Sequence, residues 1–214
     1  MLKRTLIWTK SLRLAHWVMT FSVCGLLITG WFQTHVVSFF QLALDYHYIL
    51  AYLLLFSLGI RLYSLFANPR SAAGWHDLLP SRSSLPGIGA MLRFYVSFGR
   101  TPLPQWYAHN PLWAPLYLLL FFLLLLQVIS GFLIGAGHHT LIVNLYTLHD
   151  NVATLVGWFI FLHVLTVVAQ ELKGGLSDIS AMIHGYRIFI IEKPEPDQAA
   201  RKVSLDSIKQ HNPH

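Results

Sequence analysis

Residues Leu148 to Val168, LHDNVATLVGWFIFLHVLTVV, form an almost wholly apolar run of the ~20 residues that a bilayer-spanning helix needs. In lipid every backbone polar group must be satisfied within the segment, so a run of this length predicts a helix. Two histidines, His149 and His163, interrupt it 14 residues apart. That spacing is ~21 Å along a helix axis, and the two side chains leave the helix on about the same face, roughly 40° apart. An imidazole in hydrocarbon is costly unless it pairs or binds something, so these positions mark function. Gly157 lies midway, where a missing side chain admits a large planar group close to the backbone. Hydrogen bonds to neighbouring helices would also satisfy two polar side chains, so this run alone leaves both readings open.

Three further apolar runs cover Leu14 to Phe32, Asp45 to Phe66 and Leu112 to Ile134. With 55% hydrophobic and 11% charged residues, the chain has a membrane composition. The expectation is an all-α membrane protein, a four-helix transmembrane bundle in contact with lipid. All 15 Lys and Arg residues fall in the N-terminus, at the end of the second run, in the long connection from Ala67 to Pro111, or in the C-terminal region. The connections around Gln33 to Tyr46 and Gly135 to Thr147 have none. The positive-inside rule then places both termini on the cytoplasmic side of a bacterial inner membrane. The formal charge of +6 is scattered rather than clustered on a soluble module, which argues against nucleic acid. The single cysteine, Cys24, excludes an internal disulfide, a cysteine-ligated cluster and c-type haem attachment. Two segments suit amphipathic interfacial helices, Leu85 to Phe98 and LSDISAMIHGYRIFI at residues 176–190. Residues 1–190 thus form the membrane domain and 191–214 a polar cytoplasmic tail.

The histidines sort by depth. His16 and His163 fall near the cytoplasmic ends of helices one and four, and His47 and His149 near the opposite ends of helices two and four. His47 and Arg61 repeat the 14-residue spacing. Two imidazoles at one depth suit a six-coordinate b-type haem iron, whereas zinc wants further protein ligands. Two such pairs imply two haems and electron transfer rather than oxygen chemistry. Arg61 and Arg13 could pair with haem propionates or snorkel to the headgroups. Gly25, Gly30 and Gly131 suit either macrocycle contact or helix packing. Helix three has no histidine and reads as a packing helix. The cytoplasmic end carries the polar groups Lys10, Ser11, Arg13, Gln170 and Glu171, and the titratable side chains of the outer connections, apart from the ligand pair, are His35, His138, His139, Asp45 and Asp150.

RLAHW at 13–17, IRLY at 60–63 after His47, HNP at 109–111, the His149–His163 pair and MIHGYR at 182–187 resemble the cytochrome b subunits of membrane-bound nickel–iron hydrogenases. The gamma subunits of respiratory formate dehydrogenases are similar in outline. The resemblance spans about residues 8–190. It implies a di-haem four-helix subunit that takes electrons from a periplasmic iron–sulfur protein and reduces quinone near the cytoplasmic haem. It also implies the ligand pairs His47 with His149 and His16 with His163. Where that family carries a further histidine three residues before the outer ligand, this chain has Tyr146, and its first outer connection is shorter. The alternative function is a stand-alone di-haem oxidoreductase that oxidises a small periplasmic species such as superoxide and reduces quinone.

Overall fold

The computed structural model describes residues 2–67, 71–72, 74–174 and 178–190; the expected tail at 191–214 lies outside the described residues. Strand β1 (Leu2–Leu6) leads into helices α1 (Lys10–His35) and α2 (Phe40–Ala67). The short helices α3 (Trp75–Leu78) and α4 (Leu85–Val96) occupy the long connection. Helices α5 (Trp113–Gly135) and α6 (Leu145–Gly174) follow, then α7 (Asp178–His184) and strand β2 (Tyr186–Ile190). The four long helices, α1, α2, α5 and α6, are each long and apolar enough to cross a membrane. The protein is a membrane protein, mostly helical, as its hydropathy pattern predicts.

The long helices outrun their apolar runs. Helix α1 begins at Lys10, where the Thr9 hydroxyl accepts the Leu12 amide at 3.4 Å and caps the first turn. Helix α2 begins at Phe40, so the expected loop from Gln33 to Tyr46 shrinks to a single 3₁₀ turn at Val37–Phe39. Backbone hydrogen bonding does not stop where side-chain polarity changes, and helices therefore continue into the interface. Helix α5 starts behind Asn110, whose side-chain oxygen accepts the Leu112 amide at 2.9 Å. It closes at Gly137, with φ of +87°, after which the His138 amide returns to Leu133 O at 3.0 Å.

Packing is inverted relative to a soluble protein. Leu54, Leu58, Phe121, Leu124, Val152 and Val156 form the buried centre, while Phe21, Phe56, Phe122 and Trp158 point outward. In the most apolar stretch of α6 only 11% of residues are buried, so lipid must cover the rest. Helix α1 packs closely on α2, and α5 on α6, but the two hairpins touch each other sparsely. At Gly25 an added Cβ would meet Leu50 Cδ1 at 2.7 Å, so this glycine serves the α1–α2 contact.

The C-terminal segment corrects an expectation. Residues 176–190 were expected as one interfacial helix, but the helix ends at His184 and the chain turns into β2. Strand β2 pairs antiparallel with β1, Leu6 opposite Tyr186 and Leu2 opposite Ile190. Gly185, with φ of +93°, makes the turn, and its carbonyl accepts the Ile7 and Trp8 amides at 2.9 and 3.0 Å. An isolated period-2 strand of five residues leaves little trace in a sequence, and its partner lies at the other end of the chain. Together these elements close one end of the bundle, around Ile7, Trp8, Leu12, Ala108 and Ala181.

A Cβ at position 185 would lie 2.6 Å from Trp8 O, in a backbone conformation that L-residues resist. Gly185→Ala should therefore destabilise this closure by at least ~1–3 kcal/mol. Faster hydrogen exchange at the Ile7 and Trp8 amides, with the long helices unchanged, is the expected result.

Candidate functional site

The two short connections lie at one end of the bundle, and the first and last described elements, β1 and β2, lie with the long connection at the other, the termini end. At the short-connection end, α2 and α6 bring His47 and His149 face to face, with ring centroids 6.3 Å apart and planes at 57°. Each ring is held by a hydroxyl from the other helix of its own hairpin. Thr29 Oγ1 lies 2.9 Å from His47 Nδ1, and Ser130 Oγ lies 2.8 Å from His149 Nδ1. Both hydroxyls donate their own proton to a carbonyl of the preceding turn, Thr29 to Gly25 O at 2.8 Å and Ser130 to Gln127 O at 3.1 Å. A hydroxyl so engaged can only accept from Nδ1–H, which leaves the lone pair on Nε2. That tautomer is the one a metal-ligating imidazole needs.

These partners escaped the reading of the sequence, and helix α5 is more than a packing helix. The signal was present. ITGWF at 28–32 and ISGFL at 129–133 repeat one pattern, each followed 18 or 19 residues after its hydroxyl by a histidine. The glycines of the two repeats face the histidines. A Cβ at Gly131 would sit 3.2 Å from His149 Cε1, and one at Gly30 would sit 3.8 Å from His47 Cε1.

At the termini end, His16 and His163 line one cavity of about 410 Å³ between the hairpins. Tyr117 Oη lies 3.4 Å from His163 Nδ1, and Trp113 stands edge-on to the same ring at 5.4 Å. His16 Nδ1 is buried and has no protein partner. Arg61, buried in the bundle with its guanidinium 5.2 Å from the Phe121 ring, borders this cavity, as its spacing from His47 predicts. Arg187 borders it too and donates from Nη1 to Trp106 O at 3.0 Å and Tyr107 O at 2.8 Å. In the sequence Arg187 stands only as the last residue of the MIHGYR motif, without a role, because β2 brings it to the cavity from the far end of the chain.

Arg13 lies elsewhere. Its Nη1 donates to Ile183 O, which ties α1 to α7, and it is not among the residues that border the cavity. Of the polar residues expected at this end, Gln170 is buried and lines the cavity, with its Nε2 donating to Tyr95 Oη. Ser11 Oγ pairs with Thr9 Oγ1 at 3.2 Å, and a Glu171 oxygen accepts the Ile179 amide at 3.2 Å. Lys10 is exposed at the first turn of α1. Tyr95 Oη also accepts from Asn110 Nδ2 at 3.1 Å, and burial pushes this phenol above its ordinary value, against its hydrogen bonds. Gly157 has no neighbour closer than Leu27 Cδ1, 3.9 Å from an added Cβ, so the backbone midway along α6 stays approachable.

Two nitrogens on one metal lie ~4 Å apart, which with the ring radii puts imidazole centroids roughly 6 Å apart. The 6.3 Å between His47 and His149 fits that requirement. At the other end the orphaned His16 Nδ1 and the cavity between the hairpins leave room for a further group. Among the described residues no group of three or more His, Cys, Asp or Glu is placed to hold a metal ion by itself. The donors therefore suit a macrocycle that brings its own equatorial ligands.

Imidazoles paired across a membrane helix bundle define a membrane cytochrome of the b type. A family model described as prokaryotic cytochrome b561 matches residues 7–185, and the chain belongs to that family. It is also similar to a protein of Cupriavidus necator described as a probable Ni/Fe-hydrogenase B-type cytochrome subunit. The two are 22% identical over 225 aligned positions, which cover 88% of each chain. No solved structure matches. The family makes this protein a membrane electron-transfer cytochrome and its cofactor class haem b.

If the hydroxyls orient the ligands, Thr29→Val and Ser130→Ala should each weaken haem retention roughly 10–100-fold. Loss of bound haem during detergent dilution, read as the Soret absorbance per protein, measures it. Retention equal to the unaltered protein would reduce both hydroxyls to simple back-bonds within their helices.

Proposed function

We propose that the chain holds two haems b and passes electrons across a bacterial inner membrane to the quinone pool. One haem is held by His47 and His149, the other by His16 and His163. The observation that carries this reading is the pair of histidine sites at opposite ends of α6, one with its ring separation already suited to a shared metal and the other around a cavity. Haem b held by two imidazoles would supply one-electron iron chemistry and leave no site for oxygen. The protein's part is orientation, tuning and exclusion of water. Thr29 and Ser130 fix the outer imidazoles, while Tyr117 and Trp113 hold His163. Arg61 and Arg187 supply positive charge at the rim of the inner cavity, suited to propionate carboxylates. Arg13 remains a candidate for the same role only if its contact with Ile183 O opens.

The donor is a periplasmic protein with iron–sulfur clusters, a hydrogenase or similar, as the name of the Cupriavidus necator relative suggests. The acceptor is a quinone that docks at the termini end, which is cytoplasmic by the distribution of Lys and Arg. Gln170, Asn110 and Tyr95 make that end the more polar one, and quinone reduction consumes protons that must arrive from water. In this reading the protein is the membrane subunit of an oxidoreductase complex.

His149→Ala should remove one haem equivalent and leave the optical spectrum of the other unaltered, as a pyridine haemochrome assay and reduced-minus-oxidised spectra would report. Retention of both haems would overturn the ligand pairs. An alkyl hydroxyquinoline N-oxide should shift the spectrum or potential of the haem that survives in His149→Ala. If it perturbs only the haem lost in that variant, the quinone site lies at the other end.

A further inference from the structure

Asp77 and His109 stand between two openings in the termini end of the molecule. The ring of His109 lines the large cavity that also contains His16, His163 and Arg61. Asp77 lines a second crevice, with Ser71, Ala72, His76 and Tyr107. Asp77 Oδ2 and His109 Nδ1 are hydrogen-bonded to each other, so the pair bridges the wall between the two spaces. The Asp77 side chain keeps 34% of its surface exposed and that of His109 only 10%. One partner thus meets water and the other meets the cavity.

The surroundings of His109 suit a group that both takes and gives a proton. Trp8 covers the ring edge-on at 4.9 Å, and Tyr117 lies against it at 5.6 Å. The charged groups that bear on it are Asp77 from α3, Arg61 from α2 and Arg187 from β2. Burial holds the imidazole below its ordinary value, Arg61 and Arg187 push the same way, and Asp77 opposes them. A neutral imidazole carries one N–H and one lone pair, the two features a relay needs. With Nδ1 engaged by Asp77, Nε2 is the nitrogen left for the cavity.

We infer that Asp77 and His109 form a proton relay from the crevice to the oxygens of a quinone-class ligand reduced in the large cavity. The inference rests on the quinone reading above. Full reduction of a quinone takes two electrons, which that reading supplies through the protein, and two protons. A proton taken up by Asp77 from the crevice passes to Nδ1 as the Nε2–H bond of His109 breaks and an O–H bond forms on the reduced ligand. Turning of the ring then presents Nδ1–H to the ligand and Nε2 to Asp77. A second pass breaks the Nδ1–H bond, adds the next Asp77 proton at Nε2 and so restores the starting tautomer. Asp77 acts only through His109 and never meets the ligand.

The test compares Asp77→Asn and His109→Gln with the unaltered haem-loaded protein. Dithionite-reduced protein is mixed in stopped flow with decylubiquinone, and haem reoxidation is followed. Both variants should reoxidise roughly 100-fold more slowly with unchanged haem content. The hydroxyquinoline N-oxide should perturb their inner-haem spectrum as before. Millimolar azide, a small weak acid, should restore part of the rate in Asp77→Asn, which a merely structural tether would not allow. Rates within about twofold of the unaltered protein in both variants would overturn the relay while the quinone site stands. Slow rates with no azide rescue and altered inhibitor binding would also overturn it and make the pair a tether between α3 and the 104–112 connection. If decylubiquinone and the inhibitor leave the unaltered protein unaffected, the quinone reading fails first and the relay with it.

Discussion

An imidazole inside a membrane has two nitrogens to satisfy and no water with which to satisfy them. Much of this structure follows from that requirement. Thr29 and Ser130 take the Nδ1 protons of the outer histidines, and they can do so because each has already given its own proton to a helix carbonyl. Each of these rings then keeps a lone pair on Nε2. A protein that filled the space between the hairpins with side chains would gain little, because lipid already solvates apolar surface and offers no hydrophobic reward for closing it. The sparse contact between hairpins is therefore compatible with a stable bundle.

The two ends of the molecule differ in how they are closed. At the short-connection end, tight turns join the helices of each hairpin, and the histidine pair sits among apolar and hydroxyl neighbours. At the termini end a layer of short elements covers the bundle. Strands β1 and β2, helix α7 and the 104–112 connection meet there, locked by Gly185 and by Arg187 on the carbonyls of residues 106–108. Asn110 of this layer and Gln170 of α6 line the cavity, and both hydrogen-bond to Tyr95 Oη. Chemistry that needs protons has its material here.

This asymmetry suits the vectorial role proposed above. Electron transfer needs only rigid, dry ligands at a suitable spacing, and α6 separates its two histidines by ~21 Å. Exchange of a diffusing substrate and its protons needs an opening, a polar lining and a path to water. A single helix carrying both histidines couples the two requirements mechanically, since neither pair can shift along α6 without the other.

Much of this was legible in the amino-acid sequence. Periodicity and apolar length determine four spanning helices, because in lipid no other open-chain structure satisfies the backbone. The 14-residue spacings determine that the histidines and Arg61 sort into two depths, since helix geometry is nearly invariant. What tertiary structure decided is everything that depends on distant segments meeting. Ser130 orients His149 across a hairpin, Arg187 reaches the cavity through a strand pairing that spans the whole chain, and Asp77 finds His109 across a 32-residue separation. Helix α5 looked featureless because its hydroxyls, Tyr117 and Ser130, gain meaning only opposite a histidine. Arg13, one turn from its neighbour His16 in sequence, went to Ile183 O instead of the cavity. Local pattern sets where a side chain can point, and only packing sets what it meets there.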